Sequence, residues 1–193
     1  MNNNLQQLKE LALRYSKEFK NMSDDDLKAR FIESFGIDKW NEEEMLAKLI
    51  SFGDGVANYL GIDPVPIVFE ELAKEDSRIY VKEQYIAINE ALKENLYECL
   101  KCITHEYRHL YQLYFIALFK DDTSPLGDIA RIYQDNFKHY VDVEDYEGYM
   151  MQTIELDAYA FTKVYFKKLF GLDIKISNDD YSKIVDEYIN RYY

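Results

Sequence analysis

The sequence has few of the residues that cross-link or interrupt a chain: two cysteines, three prolines and seven glycines among 193 residues. Two cysteines are too few for a disulfide framework, and they fit a reducing compartment. Because glycine and proline are the residues that most often end helices and form turns, their scarcity favours long helices. We therefore expect a cytoplasmic and mainly helical protein.

Basic charge is also scarce. The chain has 23 Lys and Arg against 36 Asp and Glu, which gives a formal net charge of -13. A field of that sign repels a phosphate backbone, so we expect no nucleic-acid partner. The first residues lack the basic region and apolar run of a signal peptide, and no apolar stretch has the length of a membrane span. We expect no membrane association, and the sequence leaves the oligomeric state open.

Apolar residues at helical spacing predict helices at both ends of the chain, and a different pattern separates them. Asn41 followed by Glu44 has the form of a capping box for one of these helices. After Gly61, two prolines and β-branched runs predict a strand at 65–69, followed by either a hairpin or two successive short strands on the two sides of 82–84. The predicted helices span about 3–21, 23–36, 41–60, 91–120, 126–137, 146–170 and 179–192.

These elements predict an α+β fold, mostly helical, with a small sheet of about three strands next to the helix at 91–120. The change of pattern at Gly61 suggests an N-terminal helical segment, 1–60, and a main domain, 61–193; the alternative is one compact unit.

Two of the three histidines, His105 and His109, lie four residues apart on the predicted helix 91–120. A helical turn takes about 3.6 residues, so both imidazoles project from one face and can bind one zinc ion, Zn2+. Glu106 lies between them. It is placed to act as a general base that takes a proton from the attacking water and later gives it to the leaving amine. The three residues form the HExxH pattern of zinc metallopeptidases.

A catalytic zinc usually has three protein ligands, so a third ligand must be found. Positions 112 and 115 are Gln and Phe, which excludes a longer motif with a third histidine on the same segment. Glu155 is the best candidate, because the small residues Ala158 and Ala160 after it would let its helix approach closely. The alternatives are His139, Asp157, Glu144 and Glu147.

HExxH on one helix and Glu-x-x-Ala at 155–158 on a later helix resemble the gluzincins, in particular the minimal ImmA/IrrE-like metallopeptidases. The resemblance covers roughly residues 64–170. It implies a zincin-like domain with Glu155 as the third zinc ligand and a cytoplasmic protein as the target. In thermolysin-type gluzincins an aspartate four residues after the glutamate orients a zinc histidine. Here that position is Tyr159, so the support for the histidine must be built differently.

Several neighbours of the motif have two possible roles. Gln112 could bind a loop or a substrate, or close a buried helix face; Arg108 could pair with Asp157 or face solvent. Cys99 and Cys102 are interpreted as small buried residues. Gluzincins use a tyrosine or histidine to stabilise the oxyanion, and Tyr159 is the candidate for that role.

The leading hypothesis is a zinc-dependent endopeptidase that hydrolyses a protein or peptide substrate, with the strand at Tyr85–Asn89 pairing with the substrate backbone. A second hypothesis is a non-catalytic binding module stabilised by zinc, although such a module would not need Glu106. A third is a helical interaction protein without a metal.

Overall fold

The computed structural model describes residues 41–141, 144–174, 176 and 178–193. The helices predicted at 3–21 and 23–36 lie outside these residues. The described part is mostly helical with one small sheet, which confirms the predicted α+β fold. Its α-helices are α1 (Glu42–Leu60), α2 (Leu96–Phe119), α3 (Pro125–Lys138), α4 (Tyr146–Met151), α5 (Thr153–Phe170) and α6 (Asp179–Tyr192).

Helix ends follow local hydrogen bonding. The capping box predicted for α1 is present: the Asn41 side chain accepts from the Glu44 amide at 2.9 Å, and the Glu44 carboxylate accepts from the Asn41 amide at 3.2 Å. Helix α2 starts at Leu96 and not near residue 91, because a 3-10 turn, Glu90–Leu92, comes first and the Asn95 side chain then caps α2.

The helix predicted at 146–170 is broken at Gln152, whose backbone is extended. The Gln152 side chain bonds the backbone of Val141 in the preceding loop, accepting from its N–H at 2.9 Å and donating to its carbonyl at 3.0 Å. The break therefore ties the start of α5 to the loop that follows α3.

The strands are β1 (Ile67–Glu70), β2 (Ser77–Tyr80) and β3 (Tyr85–Asn89), in the order β1-β3-β2. Strand β3 pairs parallel with β1 and antiparallel with β2, so the predicted hairpin is present. The prediction that Tyr85–Asn89 offers a free edge to a substrate is wrong, because both edges of β3 are already paired. Within the described residues, the open edges of the sheet belong to β1 and β2.

The Asn89 side chain organises the loop before β2 by donating to the carbonyls of Leu72 and Glu75, at 2.8 Å each. One large hydrophobic core joins α1, the sheet, α2 and α5, and Phe52, Ile86, Leu100 and Phe166 lie in it. Helix α1 thus packs with the domain predicted for 61–193. Since residues 1–40 lie outside the described part, the division at residue 60 stays a prediction. Among the described helices, none combines the length and apolar character needed to cross a membrane.

Candidate metal centre

Helix α2 places the two histidines of the HExxH motif side by side. Their Nε2 atoms lie 3.0 Å apart, and the rings meet edge to face. His109 is buried and His105 is largely buried, so both rings point into the protein and not into solvent.

Glu155, in the first turn of α5, completes the group. Its Oε2 lies 3.2 Å from His105 Nε2 and its Oε1 lies 3.3 Å from His109 Nε2. The side chain is fully buried. The structure therefore brings together the three residues proposed as ligands from the sequence, although they come from helices about fifty residues apart.

The three side chains can hold a metal ion. One ligand atom from each lies within 4.8 Å of the others. Glu155 Oε2 is buried, lies 3.2 Å from His105 Nε2 and makes no hydrogen bond of good geometry among the described residues, and a buried charged oxygen of that kind is costly unless a cation neutralises it. Two imidazole nitrogens and one carboxylate oxygen suit a divalent transition metal. The donor set and the unsatisfied oxygen thus both fit a bound cation.

Electrostatics in the centre couple the acid to the imidazoles. Burial alone would lower the pKa of His109, but the Glu155 carboxylate, with a further contribution from Glu106, raises it to about 9. Burial alone would raise the pKa of Glu155, whereas the charge and hydrogen bonds of His109 and His105 hold it well below its ordinary value. The negative charge of Glu155 thus favours a positive charge between these side chains, and a metal ion has to compete with protons for the imidazole nitrogens.

Glu106 is buried next to the three proposed ligands, and a residue of the sheet holds its side chain in place. Ser77, the first residue of β2, donates its hydroxyl to Glu106 Oε1 at 2.7 Å. This contact fixes the orientation of the carboxylate and connects it to an open edge of the sheet. Ser77 was missed in the sequence, where no local pattern separates it from other serines.

Two tyrosines meet the centre in different ways. The ring of Tyr159 packs against the ring of His105, with centroids 4.7 Å apart. The hydroxyl of Tyr140 donates to Glu155 Oε1 at 3.1 Å, while 48% of the residue is exposed. Burial of its hydroxyl end and the Glu155 charge raise the pKa of Tyr140, so it remains a donor at neutral pH. Tyr140 also was missed in the sequence.

For the neighbours of the motif that had two possible roles, the contacts in the structure distinguish between them. Arg108 pairs with Asp157 through its Nε at 2.7 Å, so it does not face solvent. Gln112 is fully buried, so it closes a buried helix face, and its side chain contacts His109. Both cysteines are free and buried, as interpreted, and burial raises the pKa of Cys99 to about 12.

The rival third ligands lie elsewhere. His139 is largely exposed beside Asp135, and Asp157 is occupied by Arg108. Glu144 pairs with Lys74, and Glu147 is exposed. None of these four belongs to the cluster of potential ligands found among the described residues.

Comparison of the chain with protein-family models, curated proteins and solved structures gives no match. The geometry of this centre is therefore the basis from which a function can be inferred.

Proposed function

We propose that the chain is a zinc-dependent endopeptidase that hydrolyses peptide bonds of a protein substrate. One observation carries the proposal: two histidines and a glutamate from a separate helix meet at one place, and the glutamate between the histidines is buried beside them. A site that only held a structural metal would use its ligands and would have no need of Glu106.

In this proposal His105, His109 and Glu155 hold the ion. Zinc bound there supplies a Lewis acid that polarises the scissile carbonyl and makes water a stronger nucleophile at neutral pH. Glu106 takes the proton from the attacking water and passes it to the leaving amine. Its hydrogen bond from Ser77 keeps one carboxylate oxygen in place during both transfers.

Substrate binding is assigned to β2. The strand has an open edge, and Ser77 at its start contacts the proposed base, so an extended peptide paired with β2 would pass beside Glu106. Pairing through the backbone binds a peptide without demanding a particular sequence. Specificity must then come from side chains on the rim of the centre.

Metal analysis of the purified chain tests the proposal directly. We expect roughly one equivalent of zinc per chain, as three protein ligands in one site imply. Less than about a tenth of an equivalent after incubation with zinc would contradict the proposal, because sites of this kind bind tightly.

We propose Tyr140 in place of Tyr159 as the group that stabilises the oxyanion, because its partly exposed hydroxyl lies beside Glu155, whereas the Tyr159 ring packs against His105. We expect Tyr140→Phe to lower kcat by roughly 10²–10³-fold with little change in KM, because a donor to the developing charge is lost. Tyr159→Phe keeps the ring that packs on His105 and should change kcat much less.

Steady-state kinetics on the two variants compare these roles, and each variant should retain the zinc content of the unchanged chain. A larger loss for Tyr159→Phe than for Tyr140→Phe would return the role to Tyr159, as the resemblance to gluzincins suggested.

A further inference from the structure

The second ring nitrogen of His109 meets an amide. His109 Nδ1 lies 2.9 Å from Gln112 Oε1, and both side chains are buried on α2. The hydrogen bond made by this nitrogen decides which nitrogen of the ring keeps a lone pair for a metal. The contacts of Gln112 therefore determine which ring nitrogen of His109 can bind a metal.

The orientation of the Gln112 amide is fixed by its other partners. Its Nε2 donates to the Ile154 carbonyl at 2.9 Å and to Asp157 Oδ2 at 2.8 Å. A carbonyl only accepts hydrogen bonds, and so does a carboxylate. Turning the amide over would bring its oxygen against two acceptors. Oε1 must therefore face His109, so Nδ1 carries a proton and Nε2 is the nitrogen left to bind a metal.

Asp157 is in turn held in place by its own hydrogen-bond donors. Arg108 Nε and Nη2 donate to its two oxygens at 2.7 and 2.9 Å, and the Tyr193 hydroxyl donates to Oδ1 at 3.1 Å. With the Gln112 amide, four donors point at the two oxygens and fix the orientation of the carboxyl group. Arg108 also balances its charge.

We propose that Gln112, backed by Asp157 and Arg108, is the positioning residue of His109. Its neutral amide passes the orienting effect of the Asp157 carboxylate on to His109. In thermolysin-type gluzincins an aspartate four residues after the ligand glutamate orients a zinc histidine. Tyr159 stands at that position here and has no carboxylate, so Gln112 provides the support instead. Because Asp157 is on α5 and Arg108 is on α2, the same network fixes the two helices that carry the three ligands. This inference depends on the metal centre of the proposed function and is independent of the peptidase reaction.

The test compares Gln112→Met with the unchanged chain. Methionine fills a similar volume but makes no strong hydrogen bond, so His109 loses its fixed tautomer. We expect zinc affinity, measured by competition with a chromophoric chelator, to fall by roughly 10- to 100-fold, the usual effect of removing support behind a ligand. Thr162→Val is the matched control, since Thr162 is a buried polar residue on α5 whose hydroxyl donates to the Ala158 carbonyl of the same helix at 2.8 Å.

A second measurement needs no variant. Nitrogen-15 NMR of the zinc-loaded chain should show His109 bound through Nε2, with a slowly exchanging proton on Nδ1. Binding of the metal through Nδ1 would overturn the inference, and so would equal zinc affinity in Gln112→Met. Those results leave the zinc centre itself standing, whereas a chain that binds no zinc at all removes both the inference and the proposed function.

Discussion

Replacing Glu106 with glutamine is expected to abolish peptide hydrolysis while the zinc content stays unchanged. The amide cannot take a proton from water, and losing a general base typically costs roughly 10²–10⁴-fold in rate. Its carbonyl oxygen can still accept the Ser77 hydroxyl, which Glu106 Oε1 now accepts at 2.7 Å, so the local geometry should persist. Glu106 lies outside the ligand group, so metal binding should not depend on it.

Cleavage should be measured with a fluorogenic peptide library and with any protein that co-purifies with the Glu106→Gln variant, which can bind a substrate without consuming it. Glu98→Gln is the matched control, because Glu98 is on the same helix and pairs with Lys101 at 2.8 Å, away from the centre. Unchanged cleavage by Glu106→Gln would remove Glu106 from catalysis. Loss of cleavage together with loss of zinc would instead assign Glu106 to the metal, as in a purely structural centre.

Removing Glu155 is expected to remove the metal. In Glu155→Ala only the two imidazoles remain, and we expect the zinc content to fall below about a tenth of an equivalent, because three ligands are needed for a tight site. Heating experiments provide a second measurement. Zinc at a hundred times its dissociation constant should stabilise the unchanged chain by about 2.7 kcal/mol and should give the variant no comparable gain.

His139, the third histidine of the chain, provides a control for substitutions of the proposed metal ligands. His105→Ala should lose zinc as Glu155→Ala does, whereas His139→Ala should keep it, because His139 is exposed and contacts Asp135. Full zinc binding by Glu155→Ala would show that another group completes the site, and the assignment of Glu155 would then be wrong.

Local patterns were enough to predict those features that local interactions determine. The capping box at Asn41 needs only residues three apart, and the pairing of His105 with His109 needs only the helical repeat. Glu155 could be proposed because its helix and the small residue Ala158 were visible in the sequence, although the sequence left rival ligands open.

Features that depend on distant contacts were missed. The parallel pairing of β1 with β3 puts β3 in the middle of the sheet, and no short pattern indicates such a pairing. The break at Gln152 comes from a side chain that bonds the backbone of another segment, not from a proline or glycine. Tyr140 reaches Glu155 from the loop that Gln152 holds, so one of 18 tyrosines could not be singled out.

The short open strand β2 has to meet two opposing demands. A strand with unsatisfied amides and carbonyls invites pairing with any extended chain, including another copy of itself. Strand β2 has only four residues, and exposed Arg78, paired with Glu75 at 2.6 Å, lies within it. Brevity and charge are the features by which natural sheets discourage edge-to-edge aggregation. Because of the same features, a bound peptide should dissociate quickly from β2, which favours release of the cleaved fragments.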